Sequence, residues 1–131
     1  MWETFPKFKE DTLSSKKSLN EVLERIILDV EKIKGAAAVA EDGVVLADVN
    51  IDDPDNIGAI SVFIGMTGNY IGETLGIGQM KTGIVDIKGE KLLIFNVGNF
   101  QLGILIEPKA SARFTISEVN GILDEEFNRG E

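Results

Sequence analysis

The chain has 131 residues, 13 Lys and Arg against 22 Asp and Glu, a formal charge of −9 and 44% hydrophobic content, which suits one compact domain with its own core. It contains neither cysteine nor histidine, which excludes Ser-His and Cys-His nucleophiles, thiolate or imidazole metal sites and disulfides. The acidic balance works against binding nucleic acid or an anionic bilayer, because phosphates are held mainly by clustered Lys and Arg.

Met1 to Lys17 alternates Trp2, Phe5 and Phe8 with charged residues and has no sustained period. It reads as a flexible N-terminal arm before a single domain over 18–131, either packed on that domain as a flap or serving as a docking peptide. Its charges rule out an export signal, and the longest uncharged stretch, Asn56 to Gly72, is too rich in glycine and polar side chains for a membrane span. These features predict a cytoplasmic protein without direct membrane insertion.

Ser18-Leu-Asn-Glu21 matches a capping box, and Leu19, Val22, Leu23, Ile26, Val30 and Ile33 follow at helical spacing. The pattern predicts a first helix to about Lys34, stopped by Gly35. Residues 35–41 and 44–48 flank Asp42-Gly43 and read as a β-hairpin with a two-residue type I′ turn. Asp53-Pro54 then supplies an N-cap and a first-turn proline for a second helix reaching Leu75, where Gly76 and Gly78 end it. Three β-rich runs follow, Met80 to Lys88, Lys91 to Val97 and Phe100 to Glu107, separated by Lys88-Gly89 and Gly98-Asn99 turns. A last helix carries Ala112, Ile116, Val119 and Leu123 on one stripe. The expected fold is α+β, in the order α-β-β-α-β-β-β-α, with helices on both faces of a five-stranded antiparallel sheet.

Few residues suggest chemistry. Asp48-x-Asn50-x-Asp52-Asp53 begins like a calcium loop but has Asp53 where glycine is needed and Ala59 where a bidentate Glu is needed. Gly76-Ile-Gly78-Gln-Met-Lys81 follows a helix and lacks the third small residue of a dinucleotide fingerprint. Ser14-Ser-Lys-Lys17 has the Ser-x-x-Lys spacing but lies in the polar arm. No catalytic, cofactor or metal residue is therefore assigned.

The second helix is the unusual element. Projected at ~100° per residue, Gly58, Ser61, Gly65, Gly68 and Gly72 fall within an arc of ~80°, while large apolar side chains cover the remaining sides. A glycine inside a helix costs ~1 kcal/mol relative to alanine, so close packing must compensate. Either the helix is buried against its own sheet alone, or it is shared with a second copy of the chain. The shared arrangement predicts a homodimer centred on Gly58, Ser61, Gly65, Gly68 and Gly72, with Val62, Met66 and Asn69 beside them. No Lys or Arg occurs from Gly35 to Met80. Asp42, Asp52, Asp53 and Asp55 within that stretch read as a solvated edge or as a docking surface for a basic partner.

Gly35-Ala-Ala-Ala-Val-Ala-Glu-Asp-Gly43-Val-Val-Leu-Ala-Asp48, the Asp-rich loop, the small-residue helix and Leu75-Gly-Ile-Gly78 together resemble the Roadblock family, the dynein-light-chain-like proteins. The similarity covers Ser18 to Asn128 and leaves the arm outside. It implies a Roadblock/profilin-like architecture and a homodimer in which the second helices pack together. The strands over Met80 to Lys88, bearing Ile84 and Asp86, would then pair edge to edge. It also implies a noncatalytic platform or regulator for a Ras-like small GTPase. Two rival expectations remain: a module of the same fold that senses a small molecule or binds another partner, and an acid-catalysed hydrolase, which would need two convergent buried carboxylates.

Overall fold

The computed structural model describes residues 18–127; Trp2, Phe5 and the rest of the arm lie outside them. The elements in order are α1 (Leu19–Asp29), β1 (Ile33–Ala40), β2 (Val45–Val49), α2 (Pro54–Leu75), β3 (Thr82–Ile87), β4 (Glu90–Asn96), β5 (Phe100–Ile106) and α3 (Ala112–Phe127). The strands form one sheet in the order β2-β1-β5-β4-β3, with every neighbouring pair antiparallel.

The capping box forms as expected: Glu21 N donates to Ser18 Oγ and Ser18 N to Glu21 Oε1, both at 3.3 Å. The first helix is shorter than its periodicity suggests. It ends at Asp29, because Val30 is already extended (φ −111°, ψ 125°) and Lys32 takes a left-handed turn at φ 67°. Gly35 is therefore no helix stop. It sits inside β1 opposite Leu105, where a Cβ would strike the Asn50 carbonyl.

The first hairpin has a three-residue loop in place of the expected two-residue turn. Ala40 N donates to Val44 O at 2.8 Å and Gly43 N to Ala40 O at 2.9 Å, and of the loop residues only Gly43 has positive φ, at 93°. A single left-handed glycine after a tight turn is the three-residue solution. The β1–β2 register shifts where Ala38 pairs with Ala47 and Val39 with Val45, so Leu46 is an extra residue on β2. By contrast, Lys88 and Gly89 both have positive φ, 55° and 89°, as a type I′ turn between β3 and β4 requires.

Strand alternation sorts the sheet into two faces. Ala36, Ala38, Leu93, Phe95, Leu102 and Ile104 share one apolar cluster with Leu19, Leu23 and Ile26 of α1 and with Val119 and Leu123 of α3. The intervening residues, Val39, Leu92, Gln101 and Gly103, turn to α2 on the other face. Arg25 fastens α1 to α3: Nη1 donates to Glu126 and Nη2 to Glu125, each at 2.7 Å, and Nε to Asp29 at 3.2 Å. Those carboxylates, Glu125 foremost, hold the guanidinium even more firmly protonated than usual. Among the described residues no helix is long and apolar enough to cross a membrane.

Candidate interaction surface

Asp53 caps α2, its Oδ1 accepting from Asn56 N at 3.3 Å, and Pro54 begins the first turn. The helix ends at Gly76, left-handed at φ 73°. Its two sides do different work.

The small-residue side turns inward. A Cβ on Gly58 would lie 3.2 Å from Gly43 O and from a Val45 methyl, and one on Gly65 would lie 3.0 Å from the Gln101 carboxamide. Cβ atoms on Gly68 and Gly72 would collide with the Met80 side chain and with Gly78 O. Ser61 is 0% exposed, with Oγ 2.6 Å from where a Gly103 Cβ would stand. Gly58, Ser61 and Gly65 are therefore packed against the molecule's own hairpin and sheet, and Gly68 and Gly72 against the segment that leads into β3, so the residues expected to centre a contact with a second copy face their own chain. The close approach that four helical glycines require is supplied within one chain.

The opposite side carries the exposed apolar surface. Ile60, Phe63, Met66, Tyr70, Ile71 and Leu75 are 43–70% exposed, and at ~100° per residue all of them fall within one half of the helix circumference. An isolated exposed apolar residue is ordinary, but a contiguous set along a helix marks an interaction surface. Of the expected contact residues, Met66 lies on this face and Val62 at its half-buried margin. Asn69 is half-buried, and its Oδ1 accepts from Met80 N at 2.8 Å.

Among the described residues β3 is an edge strand, paired only with β4. It is shorter than Met80 to Lys88 because side chains take the backbone groups just before it: Met80 O accepts from Asn96 Nδ2 at 3.1 Å, and Met80 N is held by Asn69. Ile84, 53% exposed, and the exposed Asp86 stand on this strand, with Ile87 also exposed. An edge bearing large apolar side chains is a template for another strand.

The four acids expected to form a docking edge are divided. Asp42 caps the hairpin loop, its Oδ1 accepting from Val44 N at 3.1 Å. Asp52 and Asp53 line a recess with Lys34, Asn50 and Ile57 beyond the other end of β2, and Asp55 is exposed in the first turn of α2. Among the described residues, no three carboxylates are gathered as a metal site requires.

A cavity of about 320 Å³ opens between α2, the hairpin tip and the β4–β5 turn, lined by Glu41, Val62, Met66, Asn69, Gln79 and Gln101 together with Asn96 and Gly98. Gln101 is only 8% exposed, and among the described residues its Oε1 has no hydrogen-bond partner; nor has Ser61 Oγ. An unpaired buried acceptor costs about 1–3 kcal/mol. The signal was present in β5: Phe100-Gln101-Leu102-Gly103-Ile104 puts a glutamine and a glycine on one face of a strand otherwise built for burial.

No family model and no curated protein matches this sequence, whereas solved structures match its fold. A Roadblock/LC7 domain from Streptomyces avermitilis superposes with a TM-score of 0.74 at 18% identity, over 81% of this chain and 92% of that one. Myxococcus xanthus MglB superposes at 0.70 and 15% identity, over 84% and 87% of the two chains. A structure described as MglB with tetrameric arrangement gives 0.62 at 15% identity, over 82% and 88%. The chain therefore has the Roadblock fold.

Proposed function

From that fold as premise, we propose that the protein is a noncatalytic homodimeric platform, cytoplasmic in location, that binds a Ras-like small GTPase and modulates its nucleotide cycle. The observation that carries the reading is the exposed apolar face of α2 beside the open edge of β3. That face has the chemistry of a self-complementary patch, and closed two-fold pairing is the commonest way to cover one. The self-contact centres on Ile60, Phe63, Met66 and Tyr70, with Val62 and Asn69 at its margin and Ile84 and Asp86 on the pairing strand. An MglB with a tetrameric arrangement is support from a chain of the same fold that self-associates.

The GTPase partner follows from what the Roadblock resemblance implies. Asp42, Asp52, Asp53 and Asp55 are the side chains proposed to steer it, because rim charges act chiefly on association rate.

Light scattering at micromolar concentration tests the first half: twice the 14.3 kDa chain mass is expected, and a single-chain mass for the unaltered protein would sink it. For the second half, small GTPases encoded in the same genome are titrated after loading with GDP or a non-hydrolysable GTP analogue. Saturable binding that prefers one nucleotide state is expected, slowed at low salt by joint Asp52→Lys and Asp55→Lys substitution. Absence of binding in both states removes the GTPase and leaves the dimer standing.

A further inference from the structure

We infer that β3 takes β3 of a second copy in one register only, antiparallel and centred on Ile84, so that Ile84 faces its own counterpart and Thr82 faces Asp86 of the partner subunit. The inference rests on the self-association proposed above and fixes its geometry. Ile87 and Glu90 close the type I′ hairpin, and Asn96 N donates to Lys81 O at 3.0 Å. Bonded and non-bonded pairs alternate along an antiparallel ladder. Lys81, Gly83, Val85 and Ile87 therefore spend their backbone groups on β4, while Thr82, Ile84 and Asp86 turn theirs to the open border.

Both ends of that border are stopped. Met80 N donates to Asn69 Oδ1 at 2.8 Å and Met80 O accepts from Asn96 Nδ2 at 3.1 Å, and Lys88 is left-handed at φ 55°. Centring the pairing on Ile84 engages Thr82, Ile84 and Asp86 of both strands. Centring it on Thr82 or Gly83 calls on Met80, whose groups are taken, and centring it on Val85 or Asp86 calls on Lys88, which is not extended. Side chains select the same register. It sets the Thr82 hydroxyl against the partner's Asp86 carboxylate and keeps the two Asp86 side chains apart, whereas centring on Asp86 places like charges directly opposite. Ile84, 53% exposed, meets an identical apolar side chain. On the face toward α2, where a Cβ on Gly83 would meet Ile64 and Met80, Val85 comes opposite the partner's Gly83, a position with room for it.

The chain has no cysteine, so introduced thiols report the register directly. Thr82→Cys, Gly83→Cys, Ile84→Cys, Val85→Cys and Asp86→Cys are made one at a time in the full chain and oxidised with diamide under native conditions. Non-reducing electrophoresis follows the disulfide-linked fraction, and light scattering of the reduced samples gives their mass. Residues of a bonded pair lie ~5.5 Å apart at Cα, within the ~4.4–6.8 Å that a disulfide spans, whereas Thr82 and Asp86 would each stand ~13 Å along the strand from their own counterparts. Ile84→Cys is expected to link at least about tenfold faster than any other single variant. Joint Thr82→Cys and Asp86→Cys substitution, which leaves Ile84 in place, is expected to link where neither single change does. Fastest linkage at another position, or no linkage in the joint variant at two-chain mass, would overturn the register and leave self-association standing. A single-chain mass for the unaltered protein overturns both.

Discussion

On the face of the sheet covered by α1 and α3, Leu93, Phe95, Leu102 and Ile104 meet Leu23, Ile26, Val119 and Leu123, every one of them at most 1% exposed. On the face covered by α2, a helix lies on glycines, a serine and a glutamine. The first face is filled by volume and resembles any close-packed interior. The second is assembled by removing side chains so that backbones come near, and it tolerates a polar cavity and two unpaired polar atoms. Polar defects of this kind gather where a protein binds something, which suggests that one face supplies stability and the other spends some of it.

The comparison breaks most readily at Phe95. Phe95→Ala is expected to lose about 3–5 kcal/mol in chemical denaturation, the usual cost of emptying a large aromatic site in a tight core. If it costs no more than a surface change, the α1/α3 face is not the main source of stability.

Gly65→Leu comes next. Its side chain would enter the space of the Gln101 carboxamide, so a loss of about 1–3 kcal/mol is expected from overpacking. The folded fraction should keep its native mass by light scattering. Loss of self-association with unchanged folding stability would instead put the glycine stripe back at a contact between copies.

Gln101→Leu sharpens the contrast in the other direction. Replacing an unpaired buried amide by an apolar group of similar size should raise stability by about 1 kcal/mol, read as a higher denaturation midpoint. A loss of similar size would mean that the amide is satisfied by ordered water.

Smallest in stability and largest in assembly is Phe63→Glu. An exposed helical position should move folding free energy by no more than about 0.5 kcal/mol, measured at a concentration low enough to hold single chains. At micromolar concentration the same variant is expected to remain at the mass of one chain.

Element order was legible because the chain carried its own punctuation: the Ser18 box, Asp53-Pro54, Lys88-Gly89 and Gly98-Asn99. The end of α1 was not, because the left-handed residue there is Lys32, a residue type that gives no such signal, and because Ile33 is recruited by pairing with Ile106. The loop at Asp42-Gly43 was misjudged by one residue, because the sequence does not show the extra residue, Leu46, that shifts the pairing of β2 with β1. The direction of the glycine stripe was also beyond periodicity. A helical projection says which residues share a face but not what lies opposite, and here the answer lay elsewhere in the chain: Gln101 and Gly103 of β5 leave room for Gly65 and Ser61, while Gly68 and Gly72 meet Met80 and Gly78. The lining of the cavity was illegible for the same reason, since it comes from four separated stretches of chain.

The extra residue at Leu46 has a consequence for solubility. Among the described residues the five-stranded sheet has two free borders, β3 and β2. The β3 border is regular through six consecutive pairs with β4, whereas β2 is five residues long, is interrupted at Leu46 and bears Asp48 exposed near its end. A short, bulged, charged border is a poor template for a further strand. Growth by strand addition is therefore open at one border and blocked at the other, so joining two β3 borders consumes every competent edge and stops. The irregularity sets a ceiling on sheet size, and it guards an acidic protein with an apolar helix face against running on into a fibre.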